Sequence, residues 1–181
     1  YWTFIRITFT KNIQNTIMNL KNKRVTVIGL GLSGTSSAIL ANYLGAIVFV
    51  SDSGTSKSIH KNSLKLMSLH HIASETGLHT EKIYDAELWI ISPGLSKNSK
   101  IIKKANQKNI KSISEIEFAS KYATNPIIAV TGSNGKTTTC NMLNSMLNGS
   151  DIKPVLSGNL GIPFSKTVLQ QLKKPSKNVY F

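Results

Sequence analysis

A glycine-rich loop between an apolar run and a predicted helix constrains the fold of this chain most strongly. The apolar run Ile127-Ile-Ala-Val130 leads into Thr131-Gly-Ser-Asn-Gly-Lys-Thr-Thr138. A strand delivers such a loop, its glycines let backbone N–H groups close around phosphate oxygens, and the next helix offers its positive N-terminal end. The spacing Gly-x-x-Gly-Lys-Thr is a variant of the Walker pattern, because Val130 stands where that pattern has its first glycine. The loop therefore predicts a polyphosphate site, with ATP as the leading ligand.

Each polar position of this loop has an expected role. Lys136 would neutralise phosphate charge, and the hydroxyl of Thr137 would hold Mg²⁺. An ordinary solvated turn can also contain Gly-Lys-Thr, but the order strand, loop, helix favours phosphate binding. The predicted ATP-binding residues are Gly132, Ser133, Asn134, Gly135, Lys136, Thr137 and Thr138.

The composition is that of a soluble globular protein. The chain has 181 residues, of which 40% are hydrophobic, enough for one good core or two small ones. No apolar run reaches the roughly 18 residues of a membrane span, and the first residues lack the order of a signal peptide. We therefore expect a cytoplasmic monomer that does not contact a membrane. Cys140, the single cysteine, is expected to be a buried, inert thiol.

The formal net charge of +14 raises the question of nucleic-acid binding. The lysines are scattered among Asn and Ser without interleaved aromatic residues, and no nucleic-acid-binding module is recognisable. A solvated basic surface is therefore the favoured interpretation, and we expect no nucleic-acid partner.

Strands and helices alternate along the chain, which predicts an α/β fold. A Rossmann-like domain is expected over residues 18–122, followed by a truncated α/β domain of the P-loop type over residues 123–181. Residues 1–17 precede Met18 and are interpreted as an upstream or unstructured leader, with an extra edge strand over Phe4–Phe9 as the alternative. The predicted strands are Val25–Ile28, Ala46–Ser51, Leu88–Ser92, Ile127–Val130, Pro154–Leu156 and the opening of a strand at Asn178–Phe181. The predicted helices are Thr35–Leu44, Leu64–His71, Ser99–Lys108, Glu115–Tyr122, Lys136–Leu147 and Lys166–Leu172.

A second glycine motif, Gly29-Leu-Gly-Leu-Ser-Gly34, follows the strand Val25–Ile28 and opens a helix. Asp52 closes the next strand at about the distance that the dinucleotide fingerprint requires. A pyrophosphate could lie on the helix N-terminus, and Asp52 could accept a hydrogen bond from a ribose hydroxyl. Taken alone this motif predicts NAD, but any nucleoside diphosphate meets the same physical requirements. The glycines could also serve only close packing of strand and helix.

Two phosphate sites in consecutive domains favour a ligase, and the motifs resemble those of a known family in the order in which that family has them. The chain is similar to the UDP-N-acetylmuramoyl-L-alanine:D-glutamate ligases of the Mur ligase family from about Met18 to Phe181. The motif Gly-Leu-Gly-Leu-Ser-Gly at residues 29–34 resembles the D-glutamate-adding members best. The loop at Thr131–Thr138 is shared by all Mur ligases and by folylpolyglutamate synthases. The motifs are Val27-Ile-Gly-Leu-Gly-Leu-Ser-Gly34, Ile91-Ser-Pro-Gly94, Ser114-Glu-Ile-Glu-Phe118, Ala129-Val-Thr-Gly-Ser-Asn-Gly-Lys-Thr-Thr138 and Ser157-Gly-Asn-Leu-Gly161.

The resemblance implies an ATP-dependent, amide-forming ligase of peptidoglycan precursor synthesis, with UDP-N-acetylmuramoyl-L-alanine and D-glutamate as substrates. It implies that ATP with Mg²⁺ phosphorylates the substrate carboxylate, and that Lys136 and Asn159 lie near the reacting groups. It also implies that the first glycine loop binds UDP, with Leu32 and Ser33 at the diphosphate and Asp52 and Ser53 near the uridine. The predicted UDP-substrate residues are Gly29, Gly31, Leu32, Ser33, Gly34, Asp52, Ser53, Ser92, Pro93 and Gly94.

The family's acidic Mg²⁺ ligand, later histidine and C-terminal domain have no counterpart in these residues, so the chain is expected to be an N-terminal fragment without turnover of its own. Four alternatives remain open: an NAD-dependent oxidoreductase, another Mur-type or folylpolyglutamate-type ligase, a non-catalytic nucleotide-binding module and a basic nucleic-acid binder. The four histidines lie outside any metal-ligand spacing, which favours surface or core roles for them.

Overall fold

The structure is a computed structural model that describes residues 5–10, 17–96, 99–148, 153–158, 161–175 and 178–180. Strands and helices alternate along most of it, and the α/β class is confirmed. The strands are β1 (Ile5–Thr10), β2 (Arg24–Ile28), β3 (Ile47–Asp52), β4 (Ala73–Thr76), β5 (Leu88–Ile91), β6 (Lys111–Ser114), β7 (Ile127–Gly132), β8 (Lys153–Val155) and β9 (Asn178–Tyr180). The helices are α1 (Leu32–Tyr43), α2 (Lys57–His70), α3 (Lys100–Gln107), α4 (Glu115–Ser120), α5 (Lys136–Leu147) and α6 (Phe164–Lys173), with a 3₁₀ turn at Glu81–Tyr84.

The chain divides into two compact units, Met18–Ala119 and Ser120–Phe181 together with Tyr1–Ile17. The first unit is built on a five-stranded parallel sheet in the order β4-β3-β2-β5-β6. From β2 the chain adds strands in one direction through β3 and β4, and then returns to the other side of β2 for β5 and β6. The strand order therefore reverses between β2 and β5, where open α/β sheets leave a crevice at the carboxyl ends of their strands.

The central strands of this sheet are apolar because both of their faces are covered. Val27, Val50 and Trp89 have no measurable exposure, as expected for parallel strands between layers of helices. The Trp89 indole N–H, which burial would otherwise leave unpaired, donates to the backbone oxygen of Ile83 at 2.7 Å. This packing fixes the positions at which β2, β3 and β5 end.

Two strands of this sheet were not predicted. The residues of β4 are Ala-Ser-Glu-Thr and those of β6 are Lys-Ser-Ile-Ser, so neither has the apolar content by which buried strands are recognised. Both lie at the sheet edges, where burial is less complete. The helix α4 begins as predicted, since the Ser114 hydroxyl accepts a hydrogen bond from the backbone N–H of Glu117 at 3.1 Å.

The second unit contains a four-stranded sheet in the order β1-β7-β9-β8. Strands β7, β9 and β8 are parallel, and β1 pairs antiparallel with β7 over Ile5–Thr10. The predicted leader therefore contains a strand, which is the edge-strand alternative. The residues Asn178–Tyr180, predicted as the opening of a strand without a sheet to join, pair between β7 and β8. In the described parts of the chain, no helix is both long and apolar enough to cross a membrane.

Candidate functional site

A cleft of about 280 Å³ lies at the carboxyl ends of β2, β3 and β5, where the strand order of the first unit reverses. Its wall also contains Ile28, His79 and Leu95, which the sequence did not single out. Leu32, Ser33 and Gly34 form the first turn of α1, directly after the lining residue Gly31. Seven of the residues predicted for the UDP-substrate line the cleft: Gly29, Gly31, Asp52, Ser53, Ser92, Pro93 and Gly94.

Two of the three glycines in the first motif are required by packing. Gly29 has φ +110°, which favours glycine, and a Cβ built on Gly34 would lie 1.9 Å from the Gly29 carbonyl oxygen. The Ser92 side chain packs against both positions, with its Oγ 2.9 and 2.8 Å from the Cβ atoms that residues 29 and 34 would have. This Oγ is buried and has no hydrogen-bond partner among the described residues. Ser92 therefore packs against the glycine loop and also lines the cleft, and its contact with the UDP-substrate stays a prediction.

Gly31 is different, because a Cβ built on it has no atom within 4 Å. Its φ of −68° is open to any residue, and it lines the cleft as the residue before α1. No side chain among the described residues caps this end of α1, and the first turn contains no acidic residue. The exposed backbone at Gly31 and the positive end of the helix dipole can therefore approach an anion in the cleft.

Asp52 holds the glycine loop in place. One carboxylate oxygen accepts a hydrogen bond from the backbone N–H of Leu30 at 2.6 Å, and the other accepts one from Gly54 at 2.7 Å. The carbonyl of Leu30 is bonded by the Asn62 side chain at 2.7 Å. Since each carboxylate oxygen has a second lone pair, Asp52 can still accept a hydrogen bond from a ligand hydroxyl. The residue therefore orders the loop and remains available to a nucleoside.

His79 enters the cleft through a hydrogen-bonded chain from β3 and β4. Its Nδ1 lies 2.7 Å from Ser51 Oγ, which in turn lies 2.7 Å from a carboxylate oxygen of Glu75. Thr80 donates to the same carboxylate from its backbone N–H at 2.9 Å and from its hydroxyl at 2.6 Å. Burial alone would raise the pKa of Glu75, but the hydrogen bonds from Thr80 and Ser51, with His79 nearby, hold it below its ordinary value. The sequence favoured a surface or core role over metal ligation for His79, and the structure places its half-buried side chain in the wall of the cleft.

The second glycine loop lies between β7 and α5, as the sequence predicted. Gly135 precedes α5 in a left-handed conformation with φ +76°, and no side chain among the described residues caps the helix. The six consecutive residues from Ser133 to Thr138 are exposed to solvent, which leaves this end of α5 accessible to an anion.

The Lys136 side chain folds back over this loop. Its Nζ donates to the carbonyl oxygens of Gly132 at 2.5 Å and Ser133 at 3.2 Å. An ammonium has three N–H groups, so the third is available to a phosphate oxygen. Cys140 is buried, and burial raises the pKa of its thiol, as the sequence led us to expect. The predicted catalytic residue Asn159 lies outside the described residues.

Residues 24–101 match a family described as the MurD N-terminal domain. Residues 24–101 therefore carry a MurD N-terminal domain. This stretch includes the first glycine loop, Asp52, His79 and the Ser92-Pro-Gly94 turn, so the whole cleft lies in the matched region.

Two relatives of this chain are named UDP-N-acetylmuramoylalanine–D-glutamate ligases. The protein from Christiangramia forsetii is 39% identical over 151 residues, which are 83% of this chain and 33% of the relative. The protein from Bacteroides thetaiotaomicron is 39% identical over 150 residues, which are 82% of this chain and 33% of the relative. The chain therefore spans about a third of the length of these relatives.

Among solved structures, the UDP-N-acetylmuramate-alanine ligase MurC from Thermotoga maritima aligns with 76% of this chain and 26% of its own. The sequence identity is 13% and the TM-score is 0.45. This structural likeness is weak.

Proposed function

We propose that the first unit binds UDP-N-acetylmuramoyl-L-alanine through its uridine diphosphate, as the substrate-binding part of an ATP-dependent D-glutamate ligase. The observation that carries the proposal is the cleft at the strand reversal, where the exposed backbone of Gly31 meets the uncapped N-terminus of α1. A diphosphate is the anion that suits such a site, because several backbone N–H groups can share its oxygens. The proposed substrate is taken from the names of the two relatives.

Within this cleft the diphosphate lies at Gly31, Leu32 and Ser33, and the uridine lies toward Asp52 and Ser53. Asp52 accepts a hydrogen bond from the nucleoside and keeps the loop ordered through Leu30. Gly29 and Gly34 act through packing, since neither position has room for a side chain. The turn Ser92-Pro-Gly94 closes the cleft from β5.

The second glycine loop is proposed to hold ATP, and its residues fit a polyphosphate on their chemistry. The exposed and uncapped N-terminus of α5 suits an anion. The Lys136 ammonium lies at the loop, where two of its N–H groups donate to backbone oxygens and the third can donate to a phosphate. The Thr137 hydroxyl would hold Mg²⁺, and Gly132, Ser133, Asn134, Gly135 and Thr138 would surround the phosphates. ATP supplies the phosphoryl group that turns a carboxylate, a poor electrophile, into an acyl phosphate that the amine of D-glutamate can attack.

Lys136 contributes by charge. Two anions, the substrate carboxylate and the polyphosphate, repel each other unless cations stand between them, and a preorganised cation costs no reorganisation when the reaction occurs. The exposed ammonium of Lys136 is suited to that role, and Asn159 is proposed to lie near the reacting groups.

Calorimetry on the 181-residue chain tests the proposed function. We expect UDP-N-acetylmuramoyl-L-alanine to bind and NAD not to bind, because the cleft belongs to a MurD N-terminal domain. The absence of heat with the UDP-linked ligand at millimolar concentration, together with binding of NAD, would contradict the proposal and favour the oxidoreductase alternative.

A further inference from the structure

We infer that His79 is a further ligand-binding residue of this cleft, whose Nε2 accepts a hydrogen bond from the nucleoside half of the bound nucleotide. The inference extends the proposed function, because it requires a nucleotide in the cleft. The partner on the ligand is a donor: the ring N–H of the base or a hydroxyl of the ribose.

The main chain places His79 at the cleft. The backbone N–H of Gly77, which follows β4, donates to the carbonyl oxygens of Asp52 at 2.9 Å and Gly54 at 3.1 Å. The turn that leads to His79 is thereby attached to the end of β3, next to the carboxylate proposed for the nucleoside. Among the described residues that line the cleft, Asp52 and His79 are the two that can carry a charge.

The hydrogen-bond chain determines which nitrogen of His79 carries a proton. The lowered pKa of Glu75 keeps its carboxylate ionised, so it can only accept, and the single hydroxyl proton of Ser51 is donated to it. Ser51 Oγ must then accept from the remaining neighbour, the Nδ1 of His79 at 2.7 Å. The Nδ1 therefore carries hydrogen.

In the neutral ring Nε2 is then a hydrogen-bond acceptor. No described residue makes a hydrogen bond with Nε2 of His79, whereas Nδ1 is held by Ser51. The ring thus offers an oriented acceptor to the cleft. The ends of β3 and β4 lie on the side of the cleft proposed for the nucleoside, and the glycine loop lies on the side proposed for the diphosphate. The ligand group that donates to Nε2 of His79 therefore belongs to the nucleoside.

A pair of variants separates this role from a structural one. His79→Asn places an amide near the position of Nδ1 and can still donate to Ser51, but it does not reach the position of Nε2. His79→Gln places an amide oxygen near the position of Nε2 and gives up the bond to Ser51. We expect His79→Asn to weaken UDP binding about three- to tenfold, the effect of one lost hydrogen bond, and His79→Gln to restore most of it.

The measurement is calorimetry with UDP on the full chain, with thermal unfolding of each variant without ligand. If the wild-type chain does not bind UDP, the proposed function and this inference both fail. If the wild-type chain binds UDP and His79→Asn binds it equally well, the inference alone is overturned. A lower affinity of both variants, in step with a lower unfolding temperature, would also overturn it, because only the bond to Ser51 and the fold would then matter.

Two analogues identify the donor on the ligand. Cytidine diphosphate has an acceptor in place of the ring N–H of uracil, and 2′,3′-dideoxyuridine diphosphate lacks both ribose hydroxyls. The difference between wild type and His79→Asn should vanish with the analogue that lacks the donor. A difference that persists with both analogues contradicts the assignment to the nucleoside.

Discussion

Substituting alanine at two glycines of the first loop should produce opposite results. At Gly34 the new Cβ would lie 1.9 Å from the Gly29 carbonyl oxygen and 2.8 Å from Ser92 Oγ. At Gly31 it would meet no atom within 4 Å and would project into open space beside the cleft. Gly34→Ala should therefore lower the stability of the first unit. Gly31→Ala should leave the stability nearly unchanged and should weaken ligand binding.

The magnitudes follow from the contacts. A backbone oxygen cannot change rotamer as a side chain can. Overpacking at Gly34 should therefore lower the free energy of unfolding by about 3 kcal/mol, at the upper end of the usual range. The higher helix propensity of alanine should offset at most about 1 kcal/mol of this destabilisation. The net loss of about 2 kcal/mol should lower the unfolding temperature of a unit of this size by about 8–16 °C.

Gly31→Ala should lower the stability of the first unit by only about 0.5 kcal/mol, because alanine is a poorer residue than glycine before a helix. A methyl group at the point where the diphosphate approaches the backbone should instead weaken UDP binding about tenfold or more.

The assay combines thermal unfolding with calorimetry. Fluorescence of Trp89, which is fully buried in the first unit, reports unfolding of that unit when Trp2 is replaced by Phe in every protein compared. Calorimetry with UDP reports the cleft. If Gly31→Ala binds UDP with the wild-type affinity, the diphosphate does not approach Gly31. That result would refute the inference that the open space beside Gly31 holds the diphosphate. Wild-type stability of Gly34→Ala would refute the packing argument.

Three further substitutions test the roles of Lys136, Asp52 and Glu75. Lys136→Met should abolish ATP binding in calorimetry while leaving the unfolding temperature nearly unchanged, because the side chain is exposed; retained ATP binding would contradict its role. Asp52→Asn should cost about 1.5–3 kcal/mol in urea unfolding, since the amide keeps one of the two bonds to Leu30 and Gly54; an unchanged midpoint would show that these bonds are dispensable. The folded-state pKa of Glu75 lies below its ordinary value of 4.5, so its contribution to stability is present above that pH and is lost as the pH falls below it. Glu75→Gln should flatten the decline in unfolding temperature over this acidic range, and an identical decline in the variant would contradict the assignment.

The glycine loops were predictable because backbone geometry dictates their residues. Gly29 and Gly34 leave no room for a Cβ, and a residue spacing of this kind can be recognised without a structure. Asp52 was predictable for the same reason, since it ends a strand at a fixed distance from the loop.

His79 was not predictable from local pattern. It reaches the cleft only because β4 pairs with β3 and because Gly77 is bonded to the end of β3, and the four residues of β4 carry no apolar signal. Its partners Ser51 and Glu75 lie 28 and 4 residues away in the sequence, without a characteristic spacing. The edge strand β1 was likewise ambiguous, because its pairing with β7 joins segments more than 100 residues apart.

Nuclear magnetic resonance on the 181-residue chain during titration with UDP shows, residue by residue, where the nucleotide binds. If UDP binds in the first cleft, the largest amide shifts should occur at Gly31, Leu32 and Ser33, where the diphosphate meets the N-terminus of α1, with smaller shifts near Asp52. Amide shifts confined to the second glycine loop, at Gly132–Thr138, or the absence of any shift at millimolar UDP, would contradict it.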